Sequence, residues 1–201
     1  MCQCNLLLIP EIVRSQGRTE FGSYLIWSFR NLVLKMVKHQ YPNAKVFVFA
    51  RCGKEREFSG KLGAVWSGDI DEDSPEKLYR IMDTTPAWFS VIESLKNLEQ
   101  GGKLVFNAIG KEEADKESLL GLDYPVHLWL EKEIKSVANI CRKDLSEFPA
   151  LASEMRIKPE IQEFALEDAN EALVELKTKR IKGAKVLKSI DPLGVKHPMP
   201  S

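Results

Sequence analysis

Arg51, Lys54 and Arg56 come directly after an apolar run, KVFVFA, and that order suits one kind of chemistry. In a dinucleotide fold, the residue that follows the second strand meets the adenosine ribose. An acidic residue there holds the 2′-hydroxyl and favours NAD, while an arginine accommodates a 2′-phosphate. The spacing reads either as an NADP-type site at Arg51 or as a solvated basic turn balanced by Glu55 and Glu57. Two further stretches follow apolar runs, where open parallel sheets bind ligands: Asp83-Thr84-Thr85-Pro86 and Asn107-Ala108-Ile109-Gly110. Asp83 or a threonine beside it would also cap the helix that follows.

Other chemistries find little support. His39, His127 and His197 are far apart and lack HxxxH spacing, so none is singled out as a ligand or base. The sequence contains no Gly-x-Ser-x-Gly elbow, no phosphate loop ending in Gly-Lys-Ser/Thr, and no zinc spacing. Cys2, Cys4, Cys52 and Cys141 form neither a CxxC pair nor a regular framework, which fits a reducing cytoplasm. The 201 residues carry a formal net charge of zero, with 44% hydrophobic and 29% charged residues. That balance argues against nucleic acid as a partner. The apolar run NLLLIPEIV is too short for a membrane span, so no membrane partner is expected.

The elements that must position these residues follow from periodicity. LVLKMVKHQ (32–40) is an amphipathic helix, ended by Pro42-Asn43. KVFVFA (45–50) is a strand covered on both faces. Residues 54–62 read as a helix and 63–69 as a short strand. DEDSPEKL (71–78) is expected to open a helix capped by Asp73 or Ser74, with Pro75 in its first turn. YRIMDTTP (79–86) is a strand leaving into a loop. AWFSVIESLKNL (87–98) is a helix closed by Gly101-Gly102, and KLVFNAIG (103–110) is the next buried strand. EADKESLLGL is a helical excursion, and residues 127–140 contain at least one strand. Residues 144–155 form a helix with Asp144 and Glu147 as a capping box, tightened or kinked at Pro149. The last part reads as strand, helix near Glu167-Asp168, turn at Gly183, and strand. Alternating strands and helices define an α/β fold: a Rossmann-like, doubly wound parallel sheet with right-handed crossovers.

Three long stretches carry a resemblance: DTTPAWFSVIESLKNLEQGGKLVFNAIGKEEADKESLL, HLWLEKEIKSVANICRKDLSEF and IKPEIQEFALEDANEALVELKTKRIKGAKVL. They closely resemble the zinc-dependent alcohol dehydrogenases of the medium-chain dehydrogenase/reductase superfamily, from about Leu32 to Ile190. The resemblance implies an irregular segment at 1–22, a Rossmann-type NAD(P)-binding domain at 23–156, the returning segment of an incomplete GroES-like catalytic domain at 157–190, and a loose tail at 191–201. It implies an NADP or NAD cofactor, with NADP favoured. By that resemblance Arg51 matches the ribose-selecting position, and Thr84, Thr85 and Pro86 match the loop on the adenine side. Ala108 and Ile109 match the strand end beside the nicotinamide, with Val137, Ala138 and Asn139 as the next such segment. Lys185 falls near a basic residue that meets the pyrophosphate. The family's zinc ligands have no counterpart here, so no metal ligand and no catalytic residue is carried over.

The likeness departs at EFGSYLIWSFRN (20–31). The family places Gly-Phe-Gly-Ala-Ser-Ala-His before this helix, where the chain has Leu25 to Asn31. Both glycines, which let the backbone approach a pyrophosphate, are gone. YLIW is expected as the central first strand, with Ser28 or Asn31 as helix cap. Two readings follow. One is a truncated NAD(P)-dependent alcohol dehydrogenase-like oxidoreductase, weak or inactive alone. The other is a non-catalytic relic or binding module that forms a homodimer through its sheet edge. A metal-independent reductase on the same fold lacks a candidate acid.

Overall fold

The computed structural model describes residues 20–24, 27–137, 142–158, 161–178 and 184–188. Contacts divide the chain into two compact units, Met1–Met155 and Arg156–Ser201, each with a sheet of its own. The larger sheet contains β1 (Glu20–Tyr24), β2 (Lys45–Phe49), β3 (Trp66–Gly68), β4 (Leu78–Asp83), β5 (Leu98–Phe106) and β6 (Glu133–Ser136). Their spatial order is β3-β2-β1-β4-β5-β6 and every neighbouring pair is parallel, as the alternating pattern predicts. The connecting helices are α1 (Trp27–Gln40), α2 (Gly53–Lys61), α3 (Phe89–Asn97), the short α4 (Tyr124–His127) and α5 (Arg142–Glu154).

The core forms on both faces of this sheet because alternate residues of a strand point to opposite sides. In β2, Val46 and Val48 join Val33, Leu34, Met36 and Val37 of α1 in one apolar cluster. Phe47 and Phe49 join Val91 and Leu95 of α3 in the other. Trp66 of β3 closes over the second cluster, edge-on to Phe49 at 5.1 Å between ring centres. Among the described residues no helix is long and apolar enough to cross a membrane.

Several local expectations are corrected. The first strand is Glu20–Tyr24; of the expected YLIW, Leu25 and Ile26 lie outside the described residues and Trp27 already belongs to α1, so Ser28 and Asn31 lie within the helix rather than capping it. Register explains the shift: Tyr24 is level with Phe49 and Asp83, where β2 and β4 end. A strand running on to Trp27 would overshoot both neighbours by roughly 10 Å. Residues 71–77 form turns, not a helix. Asn97, buried at the end of α3, holds them there. Its Oδ1 accepts the Ser74 amide at 2.8 Å and the Ser74 hydroxyl at 2.9 Å, and its Nδ2 donates to the Glu72 carbonyl at 3.3 Å. Helix α5 starts by Arg142, so Asp144 lies inside its first turn and not at a cap, and Pro149 falls within the helix.

Gly101 and Gly102 do not close α3 but lie within β5, which begins at Leu98. Here the β4–β5 register slips, with Leu78 opposite Leu98 and Arg80 opposite Lys103. Gly101 takes φ 64° and donates its N–H to the Leu130 carbonyl at 2.9 Å. A Cβ on Gly102 would stand 2.7 Å from the Glu99 carbonyl oxygen and 2.8 Å from Leu98 Cγ. Because the nearest obstacle is backbone, Gly102→Ala should destabilise the fold by about 1–3 kcal/mol. Urea unfolding would measure this as a lower midpoint.

The smaller unit is a β-α-β unit. Its strands β7 (Ile161–Ala165) and β8 (Ala184–Lys188) pair in parallel, and a 3₁₀ turn at Leu166–Asp168 leads into α6 (Ala169–Thr178). The predicted turn at Gly183 lies outside the described residues.

Candidate functional site

Strand ends set the geometry of the site. Phe49, Tyr24, Asp83, Phe106 and Ser136 pair at one level across β2, β1, β4, β5 and β6, so the loops that follow open along one edge. The chain order reverses between β1 and β4, which makes this edge a topological switch point, where open α/β sheets receive ligands. A cavity of about 540 Å³ lies there. Its walls are Ala50, Arg51 and Cys52 after β2, Thr85, Pro86 and Ala87 after β4, and Glu112 and Asp115 from the loop after β5.

The wall after β4 is built on Asp83, whose side chain is fully buried. Asp83 Oδ1 accepts the Thr85 amide at 2.9 Å and the Thr85 hydroxyl at 2.8 Å. Its Oδ2 accepts Lys111 Nζ at 2.5 Å and Ser90 Oγ at 3.3 Å. A buried carboxylate is tolerated only when it is so answered. The helix start is capped from elsewhere. Asp115 Oδ2 accepts the amides of Trp88 at 2.7 Å and Phe89 at 2.9 Å, replacing the local cap by Asp83 or threonine that the sequence suggests. Asp115 Oδ1 is buried and has no partner among the described residues.

In the basic turn, the two arginines have different roles. Arg56 Nη1 donates to the Ala50 carbonyl at 2.8 Å and to Asp69 Oδ2 at 2.7 Å, which ties the end of β2 to the loop after β3. Glu57 is held by Lys61 at 2.7 Å and does not balance Arg56. Arg51 is exposed and makes no hydrogen bond or close ion pair with the described residues.

The Ile70 amide and the Arg56 guanidinium hold the Asp69 carboxyl below the usual range, against the opposing effect of its partial burial. A carboxylate whose folded pKa is depressed contributes stability that is present above its unfolded pKa and lost as pH falls through the folded value. The pair is part exposed, so Arg56→Gln should cost only about 0.5–1 kcal/mol near pH 6. The gap between wild type and variant should narrow as the pH is lowered below the usual carboxylate range, leaving the share of the Arg56–Ala50 bond, read by denaturant midpoints at each pH.

The residues singled out from sequence fall in several places. Arg51, Thr85 and Pro86 come together in the cavity wall. Thr84, their neighbour, is buried and is not part of that wall. Ala108 and Ile109 lie in the loop after β5, with Ile109 fully exposed. Val137 is buried in the α1-side core, its amide bonded to the Phe106 carbonyl at 3.0 Å. Ala138 and Asn139 lie outside the described residues. Lys185 belongs to the smaller unit, where it pairs with Glu175, meets Gln162 Oε1 at 3.1 Å and lies over the Phe164 ring. Sequence reasoning missed Lys111 and Asp115, because each acts across more than twenty positions and no spacing rule links them to Asp83 or Trp88.

Strand order, parallel pairing and an edge cavity at the switch point define a Rossmann-type dinucleotide-binding fold. The chain is 30% identical, over 144 residues, to a probable alcohol dehydrogenase, AdhA, of Mycobacterium tuberculosis, a match covering 72% of this chain and 40% of AdhA. Acetophenone reductase from Geotrichum candidum, solved with NAD, matches with a TM-score of 0.66 at 19% identity, over 94% of this chain and 55% of that one. CAD from Helicobacter pylori, solved with NADP(H), matches with a TM-score of 0.65 at 17% identity, over 90% of this chain and 51% of that one. No protein-family model matches. The sequence match to AdhA and the shared fold support the zinc-type alcohol dehydrogenase family for this chain, as a partial relative. It spans 40% of the length of AdhA and about half of the length of the solved relatives.

Proposed function

We propose that this chain supplies the NAD(P)-binding part of an alcohol dehydrogenase-like oxidoreductase. The observation that carries this reading is the cavity at the switch point, with Arg51 open to it. Arg51 follows β2, where a dinucleotide's adenosine ribose is met, and its guanidinium acts on Asp69 only through space, whereas Arg56 is hydrogen-bonded to Asp69. A planar, doubly donating cation suits a 2′-phosphate, which favours NADP over NAD. Thr85 and Pro86 would border the adenosine. When bound, the cofactor supplies a hydride donor or acceptor for an alcohol or aldehyde substrate. Zinc does not fit in the same way. Among the described residues no three His, Cys, Asp or Glu side chains gather to hold a metal ion, and no metal step is assigned to this chain. A cytoplasmic location is proposed with it, from the cysteine pattern.

NADPH should bind the wild-type chain saturably and more tightly than NADH, measured by calorimetry or by enhancement of the reduced nicotinamide fluorescence. Arg51→Ala should weaken NADPH about ten- to a hundredfold, the share of a hydrogen bond to a charged group (~1.5–3 kcal/mol), and leave NADH nearly unchanged. Absence of saturable binding of either cofactor at millimolar concentration would refute the reading.

A second reading, self-association, has its own observation. β6 is the outer strand of the sheet, and Tyr124, Val126, Trp129, Leu130 and Ile134 at and just before it are all exposed. An open edge beside apolar side chains invites a second copy of the chain. Sedimentation should give twice the chain mass of 22.8 kDa, and Ile134→Lys should return the monomer. A wild type that stays monomeric at high micromolar concentration would count against it.

A further inference from the structure

Lys111 comes five positions after the end of β5, yet its ammonium group is directed back at β4. Its side chain is 11% exposed, and Nζ meets three acceptors: Asp83 Oδ2 at 2.5 Å, the Thr85 carbonyl at 3.0 Å and the Ala87 carbonyl at 3.0 Å. An ammonium group has three donors, and all three are used. The Phe106 ring centre lies 5.0 Å from Nζ and the Trp88 ring centre 5.9 Å, so aromatic faces cover the remaining side. The Glu112 amide adds a bond to the Pro86 carbonyl at 2.8 Å. Thus every carbonyl from Thr85 to Ala87 is held by Lys111 or by its neighbour. These three residues are the cavity wall after β4. Neutralising Asp83 would need only one of those bonds; the other two fix backbone.

We propose that Lys111 is a positioning residue for the cavity: it holds the Thr85–Ala87 backbone in the shape that receives the adenosine half of a dinucleotide, and it joins that wall to the loop after β5. The inference rests on the cofactor reading above.

Two variants separate positioning from stability. Lys111→Met alone leaves Asp83 buried without its cation, and that chain is expected to be poorly folded. Asp83→Asn combined with Lys111→Met removes both charges, so the fold should largely recover while the Thr85 carbonyl loses its Lys111 donor and the Ala87 carbonyl keeps only Ser90 Oγ, at 3.0 Å. The probe is 2′,5′-ADP, which carries the adenosine half and no nicotinamide, with calorimetry as the readout. The double variant should bind it at least tenfold more weakly than wild type, and the Thr85, Trp88 and Phe89 amides should exchange with solvent faster. Gly102→Ala, destabilised at the slipped register of β5, should bind 2′,5′-ADP as wild type does. If the wild type binds and the folded double variant binds equally well, with unchanged amide exchange, this inference alone falls. A wild type that does not bind 2′,5′-ADP takes down the cofactor reading and this inference together.

Discussion

A carboxylate shut away from water at the end of a strand must find its donors within the protein, and Asp83 sets that requirement at the centre of the sheet. It is level with the ends of β1, β2 and β5, so the groups that answer it come from the loops that shape the edge. Thr85 turns back to it, Ser90 reaches it from the first turn of α3, and Lys111 arrives from beyond β5. The loop after β4 is thereby held at the end of its strand, where it walls the cavity together with the turn after β2. Removing either partner of such a buried pair costs roughly 3–5 kcal/mol, because the other is left uncompensated. The shape of the edge and the stability of the sheet thus rest on one cluster of contacts.

The parts of this molecule that were legible in the sequence are those in which local pattern and long-range packing agree. KVFVF reads as a strand covered on both sides, and its valines and phenylalanines do enter different clusters. The helix around LVLKMVKHQ shows its apolar stripe, and AWFSVIESLKNL does the same. Reading failed where a distant side chain overruled a local signal. Asp73, Ser74 and Pro75 have the composition of a helix start, but Asn97 draws their backbone into turns. Trp27 of the expected strand YLIW opens α1 instead, and the register of Glu20–Tyr24 against two neighbours shows where β1 begins. Gly101-Gly102 resembles a helix stop and is instead a slip within a strand. The two arginines of the turn after β2 look alike in sequence. Only the position of Asp69 after β3 makes one of them structural and leaves the other open.

The departure from the family at 25–31 is located by the same register. Those positions fall between the end of β1 and the first turns of α1, the place where a dinucleotide fold brings a helix N-terminus toward a pyrophosphate. The cavity described above, by contrast, is walled by the segments that follow β2, β4 and β5.

The strand pairing also has a consequence for how the edge comes into being. Every pair in the larger sheet is parallel, so no strand can fold back directly on its neighbour in sequence. Glu20 meets Lys45 after 25 positions, but Phe21 meets Arg80 only after 59. Closing the longer loop carries the larger entropic cost, and contacts far apart in sequence form slowly. Of these two pairings the seam between β1 and β4 thus has the larger loop to close, and it is also where the strand order reverses.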